Sequence, residues 1–186
     1  VLSQASKFGK VTVGVLTDRA ISSYKRLPYM TFDQRVEIVK SLKQVSQVIA
    51  QDTLDYRPNL EKLKPSFVVH GDDWKEGIQK KTRNEVIETL KKWEGKLIEV
   101  PYTKGISSSS LNVALKEIGT TPQIRMSVLR RLLNSKSIIR FLDIHNALSG
   151  LIIENTEVEI NGQTRQFDGM WASSLTDSTA KGKPDI

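Results

Sequence analysis

Pro65-Ser66-Phe67-Val68-Val69-His70-Gly71-Asp72-Asp73-Trp74 is the stretch that decides the fold. Ser66 to His70 is apolar and β-branched enough for a central strand of a parallel sheet. Gly71 then allows a sharp bend, and two carboxylates and an indole follow at once. In open α/β sheets ligands sit just beyond the carboxyl ends of the strands, so polar and aromatic side chains crowded there suggest a ligand mouth. The same residues also suit a solvated loop around one half-buried Trp.

Upstream, Val11 to Leu16 reads as a buried strand ending at Thr17-Asp18. A basic, aromatic loop follows, Tyr24-Lys25-Arg26-Leu27-Pro28-Tyr29. Thr31 and Gln34 have capping-box spacing ahead of a helical face through Val36, Val39 and Leu42. Val45 to Ile49 is a second strand, and Pro58 suits the first turn of a helix carrying Leu60 and Leu63. Downstream, Thr82 and Glu85 have the spacing of another capping box, before a helix lined by Val86, Ile87, Leu90 and Trp93. Gly95 is placed to end that helix, and Leu97 to Val100 is a strand closed by Pro101. Strands alternating with helices predict a parallel sheet with helices on its faces.

The chain has 186 residues and a net charge of +7, from 28 Lys+Arg against 21 Asp+Glu. That excess favours anionic partners such as nucleotides or phosphorylated metabolites. The basic residues are scattered over helix faces with no interleaved aromatics, so no nucleic-acid platform is expected. The absence of Cys excludes disulfides and thiolate metal sites and fits a cytoplasmic setting. No run approaches the ~18 apolar residues of a membrane-spanning helix. The chain opens on Val1 without a signal-peptide layout or initiator Met, so it is expected to begin within a longer protein.

Tyr102-Thr103-Lys104-Gly105-Ile106-Ser107-Ser108 precedes a helical pattern through Leu111, Leu115 and Ile118. A glycine turn, hydroxyls and a helix start together suit a phosphate, because free N–H groups and the helix dipole face the anion. The same serines would also serve as ordinary N-caps. The ordered combination of the Thr17-Asp18 strand end with its basic loop, Gly71-Asp72-Asp73-Trp74, and Gly105-Ile106-Ser107-Ser108 resembles the cytidylyltransferases of the glycerol-3-phosphate and ethanolamine-phosphate type, over roughly residues 1–118.

That resemblance implies a Rossmann-like sheet and transfer of CMP from CTP, with Mg²⁺, to a phosphate-bearing acceptor. It implies that Lys25 neutralises the reacting phosphates and that Arg35 helps to hold the acceptor phosphate. It puts Asp72, Asp73 and Trp74 near the cytidine, and Tyr102, Gly105, Ile106, Ser107 and Ser108 around the nucleotide. Tyr102 stands where the family usually has Arg, with Lys104 two residues on. The family's His-x-Gly-His belongs upstream of Val11 and is absent, so the chain as it stands is expected to catalyse cytidylyl transfer weakly or not at all.

In the second half, Thr121 and Pro122 open a predicted helix carrying Ile124, Val128, Leu129, Leu132 and Leu133. A further helix is expected through Ile138, Ile139, Leu142 and Leu148, with His145 as a packing residue, then a strand from Leu151 to Glu154. Val158 to Arg165 reads as a hairpin around Asn161-Gly162. Asp143 to Ser149, Gly169-Met170-Trp171-Ala172-Ser173-Ser174-Leu175 and Lys181-Gly182-Lys183-Pro184-Asp185 together resemble the start of phosphoenolpyruvate mutase and its isocitrate-lyase-type superfamily. This implies an α/β barrel with Trp171, Ser173, Ser174 and Leu175 around phosphoenolpyruvate, and Asp185 as the mobile-loop aspartate that helps to move the phosphoryl group. A complete barrel needs about 250 residues. Residues 119–186 are therefore expected to supply only its N-terminal portion, leaving apolar side chains exposed, and to take part in homo-oligomers only as part of the full barrel.

The expectation is thus an α/β chain of two parts. Residues 1–118 form a Rossmann-like nucleotidyltransferase with a parallel sheet, and 119–186 the first part of a barrel. The joint activity implied is phosphonate biosynthesis, combining phosphoenolpyruvate-to-phosphonopyruvate rearrangement with CTP-dependent activation of a small phosphonate. The alternatives are a cytidylyltransferase for glycerol 3-phosphate or ethanolamine phosphate, and a non-catalytic nucleotide-binding module. No resident metal ligands, nucleic acid or membrane partner are expected.

Overall fold

The computed structural model describes residues 1–75, 79–101, 121–160 and 163–184. A one-turn helix α1 (Leu2–Ala5) leads to strand β1 (Val11–Leu16), and Phe8 stacks obliquely on Phe67 with ring centroids 5.0 Å apart. Helix α2 (Asp18–Ser22) starts directly at the end of β1, where Thr17 caps it by accepting from the Ala20 N–H. Helix α3 (Phe32–Lys40) has the capping box expected at Thr31 and Gln34, both hydrogen bonds being present. Strand β2 (Val45–Gln51) pairs in parallel with β1.

Helix α4 (Arg57–Leu63), with Pro58 in its first turn, then feeds strand β3 (Phe67–Gly71). A 3₁₀ turn over Asp72–Trp74 follows, then helix α5 (Gln79–Lys91) and strand β4 (Lys96–Val100). β3 and β4 also pair in parallel, with His70 opposite Glu99. The parallel α/β class is as expected, but the described strands form separate two-stranded pairs, β1–β2 and β3–β4. The main core lies under the second pair. Leu60, Trp74, Val86 and Leu90 are buried together, with Tyr56, Val68, Trp93 and Leu97 packed around them.

Three local expectations need correction here. Gly71 has φ −65° and ψ 155°, which any residue can adopt, so the bend is made by the 3₁₀ turn and not by glycine freedom. Thr82 lies inside α5, which is already helical from Gln79, so it cannot cap that helix. The α5–β4 turn takes its left-handed residue at Glu94, φ 59°. Gly95 is needed for space: a Cβ there would sit 2.8 Å from Leu90 Cδ2 and 2.9 Å from the Pro65 carbonyl oxygen.

Helix α6 (Pro122–Ser135) starts as expected, with Thr121 accepting from the Ile124 N–H. The next elements differ from the sequence reading. Phe141 to Ile144 is strand β5, and Leu151 to Glu154 lies in helix α7 (Ala147–Asn155). Asn146 and Ser149 make a capping box that starts α7, and this local signal overrides the strand preference of Leu-Ile-Ile. His145 consequently sits exposed in the turn between β5 and α7, not on a helix face. Strands β6 (Glu157–Ile160) and β7 (Gln163–Gln166) form the expected antiparallel hairpin. Strand β8 (Gly169–Ala172) pairs in parallel with β5 and leads into helix α8 (Ser174–Ala180).

Candidate functional site

Three groups of side chains collect where parallel strands end. The first is at the end of β1. Arg35 projects from α3, and its Nη1 donates to the Leu16 carbonyl at 2.5 Å while Nη2 donates to Asp18 Oδ1 at 2.7 Å. Asp18 is in the first turn of α2, so the Thr17 cap places its carboxylate at the strand end. The second oxygen of Asp18 accepts from Arg131 Nε and Nη2, at 3.1 and 3.0 Å. Two guanidinium groups thus share one carboxylate, and the cluster keeps a net positive charge. Arg35 Nε is buried and has no partner among the described residues. A buried N–H without an acceptor is costly, and this guanidinium keeps one donor unspent among the described residues. Lys25 stands in the exposed loop after α2, its ammonium 5.2 Å from the Tyr24 ring centroid.

The second group is at the ends of β3 and β4. Trp74 is fully buried, and its Nε1 donates to Glu99 Oε1 at 3.0 Å. Arg83, from α5, forks onto the same carboxylate at 2.8 and 3.0 Å, and Lys75 lies 3.6 Å away. The Arg83 guanidinium holds the Glu99 carboxyl down at about 2, helped by the indole N–H and the Lys75 ammonium. His70 stacks on Trp74 with centroids 3.7 Å apart and planes at 11°. Its Nδ1 is 2.8 Å from the Gly71 carbonyl, and since a carbonyl only accepts, Nδ1 carries the proton. Burial raises the pKa of Tyr56, which borders the same rings. One face of the Trp74 indole is covered by His70, so this side chain braces the turn and offers no open aromatic surface to a base. Asp73 is exposed, 3.9 Å from His70 Nδ1.

The third group belongs to the β5–β8 pair. Trp171 is opposite Asp143 in the ladder, and its side chain is 64% exposed. Ser173 caps α8, accepting from the Thr176 N–H, and Ser174 and Leu175 form the first turn. Thr176 Oγ1 donates to Asp143 Oδ2 at 2.5 Å, while Asp143 Oδ1 is buried without a partner among the described residues. The sequence-predicted residues Trp171, Ser173, Ser174 and Leu175 are therefore gathered at one strand end. Tyr102, Gly105, Ile106, Ser107, Ser108 and Asp185 lie outside the described residues.

Sequence reasoning missed Arg131, Arg83 and Glu99. A glutamate within the otherwise apolar Leu97–Val100 run was the available signal for Glu99. Arg131 meets Asp18 across 113 positions of sequence, and no local pattern marks it. Among the described residues no three His, Cys, Asp or Glu side chains come together to hold a metal ion. Among the described residues no helix is long and apolar enough to cross a membrane.

The sequence family described as cytidylyltransferase-like matches residues 1–113. The FAD synthase of Methanopyrus kandleri is 36% identical to this chain over 69 residues, covering 37% of the chain and 46% of that protein. The chain therefore spans less than half the length of this curated relative.

Proposed function

Because the chain belongs to the cytidylyltransferase-like family, and hence to the nucleotidyltransferases, we propose that residues 1–118 bind CTP with Mg²⁺ and direct its cytidylyl group to a small phosphonate. Residues 119–186 are the start of a phosphoenolpyruvate mutase unit in this reading, and the shared role is phosphonate biosynthesis. An acceptor oxygen attacks the α-phosphorus of CTP, a new P–O bond forms, the bond to the β-phosphate bridge breaks, and pyrophosphate leaves. No electrons change hands. In-line transfer of this kind depends on positioning and charge neutralisation more than on covalent chemistry.

Lys25 offsets the charge on the reacting phosphates, and Arg35 holds the acceptor oxyanion. Asp72, Asp73 and Trp74 shape the nucleotide turn, with Trp74 acting through the position of its neighbours. Tyr102, Gly105, Ile106, Ser107 and Ser108 complete the nucleotide site. Trp171, Ser173, Ser174 and Leu175 surround phosphoenolpyruvate, and Asp185 takes part in moving its phosphoryl group. The observation that carries the cytidylyl part is the half-buried Arg35 guanidinium at the end of β1, its buried Nε having no partner among the described residues. The position of Ser173 just past the β5–β8 parallel pair, two residues after Trp171 on β8, supports the mutase part.

A second reading, transfer to glycerol 3-phosphate or ethanolamine phosphate, draws on the family match ending at residue 113, before the mutase-like part. Calorimetric titration of the CTP-loaded chain with 2-aminoethylphosphonate, 2-hydroxyethylphosphonate, glycerol 3-phosphate and ethanolamine phosphate separates the two. Preference for a phosphonate supports the first reading. Preference for a phosphate ester replaces it with the second.

A further inference from the structure

The Arg35 guanidinium does not hold itself in place. Its bond to Asp18 is useful only if the carboxylate is fixed, and the group fixing Asp18 comes from the other half of the chain. Arg131, on α6, uses Nε and Nη2 on Asp18 Oδ2, and donates from Nη1 to the Tyr29 carbonyl and from Nη2 to the Met30 carbonyl, both at 3.1 Å. Its side chain is 12% exposed, whereas the adjacent Arg130 faces solvent. Successive helical residues point about 100° apart, so of the two arginines it is Arg131 that turns toward Asp18. The end of α6 is anchored separately, by the Ser22 hydroxyl donating to the Ser135 carbonyl at 3.1 Å.

We propose that Arg131 is a positioning residue for anion binding, with α6 fixing the Arg35 guanidinium through Asp18. This rests on the reading of Arg35 as the acceptor-holding group. Each oxygen of Asp18 is taken by a different arginine, so the carboxylate cannot swing to cover the Arg35 face that awaits an oxyanion. Without Arg131, Asp18 is released to chelate Arg35 with both oxygens and compete with the incoming anion. The guanidinium fork is required, because a lysine ammonium is a point charge that cannot span one carboxylate and two carbonyls in fixed geometry.

The test is calorimetric titration of the whole chain with 2-aminoethylphosphonate and, separately, with MgCTP, for the wild type, Arg131→Ala, Arg131→Lys, Arg35→Ala and Ser22→Ala. The expected result for Arg131→Ala is about a tenfold loss of phosphonate affinity, as for one lost charge-assisted interaction, with MgCTP affinity within about twofold. Arg131→Lys recovers part of the loss, and Ser22→Ala, which removes only the neighbouring anchor, changes neither ligand. Unchanged phosphonate binding in Arg131→Ala, alongside lost binding in Arg35→Ala, overturns the proposal and leaves the acceptor reading standing. Equal loss of both ligands in Arg131→Ala overturns it in favour of a purely structural role. Unchanged binding in Arg35→Ala, or none in the wild type, overturns the acceptor reading and this proposal with it. If Arg131→Ala does not fold, Arg131→Lys decides: it keeps the charge and loses the fork, and a smaller selective loss of phosphonate affinity with MgCTP binding unchanged is expected, while phosphonate affinity equal to wild type overturns the proposal.

Discussion

Glu99, beside the Asp72–Trp74 turn, accepts from Trp74 and from both prongs of Arg83. Its carboxyl is lowered from the ordinary 4.5 to about 2. A depressed carboxyl contributes stability above its unfolded value, and that stability is lost as pH falls toward the folded value. The window is therefore pH 4.5 down to about 2. Glu99→Gln keeps an acceptor for the indole but removes the charge, and should cost about 1–3 kcal/mol at neutral pH. Urea unfolding of wild type and Glu99→Gln at pH 7 and at pH 3 checks this, the gap between them narrowing in acid. An unchanging gap would show that the charge is not what Glu99 supplies. Glutamate within an apolar strand was visible in the sequence, but its partners come from two other elements and were not. Trp74 was legible as an aromatic at a strand end, but its place at the centre of the core, with its N–H on Glu99, was not.

At the scale of elements, the sequence was most informative where capping and turn chemistry agreed with hydrophobic period. β1, α3, α4, β3, β4 and α6 all follow that rule. Helix α3 owes its start to Thr31, and Thr31→Ala should lower stability by about 1 kcal/mol, measurable as a shift of the urea midpoint with the slope unchanged. The α5–β4 turn depends on space at Gly95. Gly95→Ala drives a methyl against Leu90, the Pro65 carbonyl and Trp93 Nε1. It should destabilise by about 1–3 kcal/mol and disturb the Trp93 hydrogen bond to Pro65, visible in indole N–H chemical shift. A thermal midpoint equal to wild type would contradict the packing described. Reading failed across 138–154 because a short apolar run fits strand and buried helix equally well. The Asn146–Ser149 capping box settles that run as a helix, and it was overlooked because serine at N3 is a weaker marker than Glu or Gln.

At the scale of the molecule, the two halves are built differently. The first buries Trp74, Val86, Leu90 and Leu60 in one cluster, while among the described residues of α6 to α8 only Leu132 and Ile153 are buried. Met126, Ile138, Leu148, Leu151 and Trp171 remain exposed there. Polar contacts link the halves: Asp18–Arg131, Ser22–Ser135 and Arg26–Glu154. Such pairing between distant positions is set by tertiary packing and leaves no periodic trace in sequence. Amide exchange should therefore be slowest in β3, α5 and β4 and fastest in α8, which buries no residue. Uniform protection across both halves would contradict this division. The central claim is that the ends of β1 and β3 belong to a cytidine-nucleotide site, and calorimetric titration with MgCTP, MgATP and MgGTP, in wild type, Lys25→Ala and Ser107→Ala, tests it most directly. The account predicts CTP-selective binding that both substitutions weaken. Binding that favours ATP or GTP, or CTP binding indifferent to Lys25 and Ser107, would contradict it.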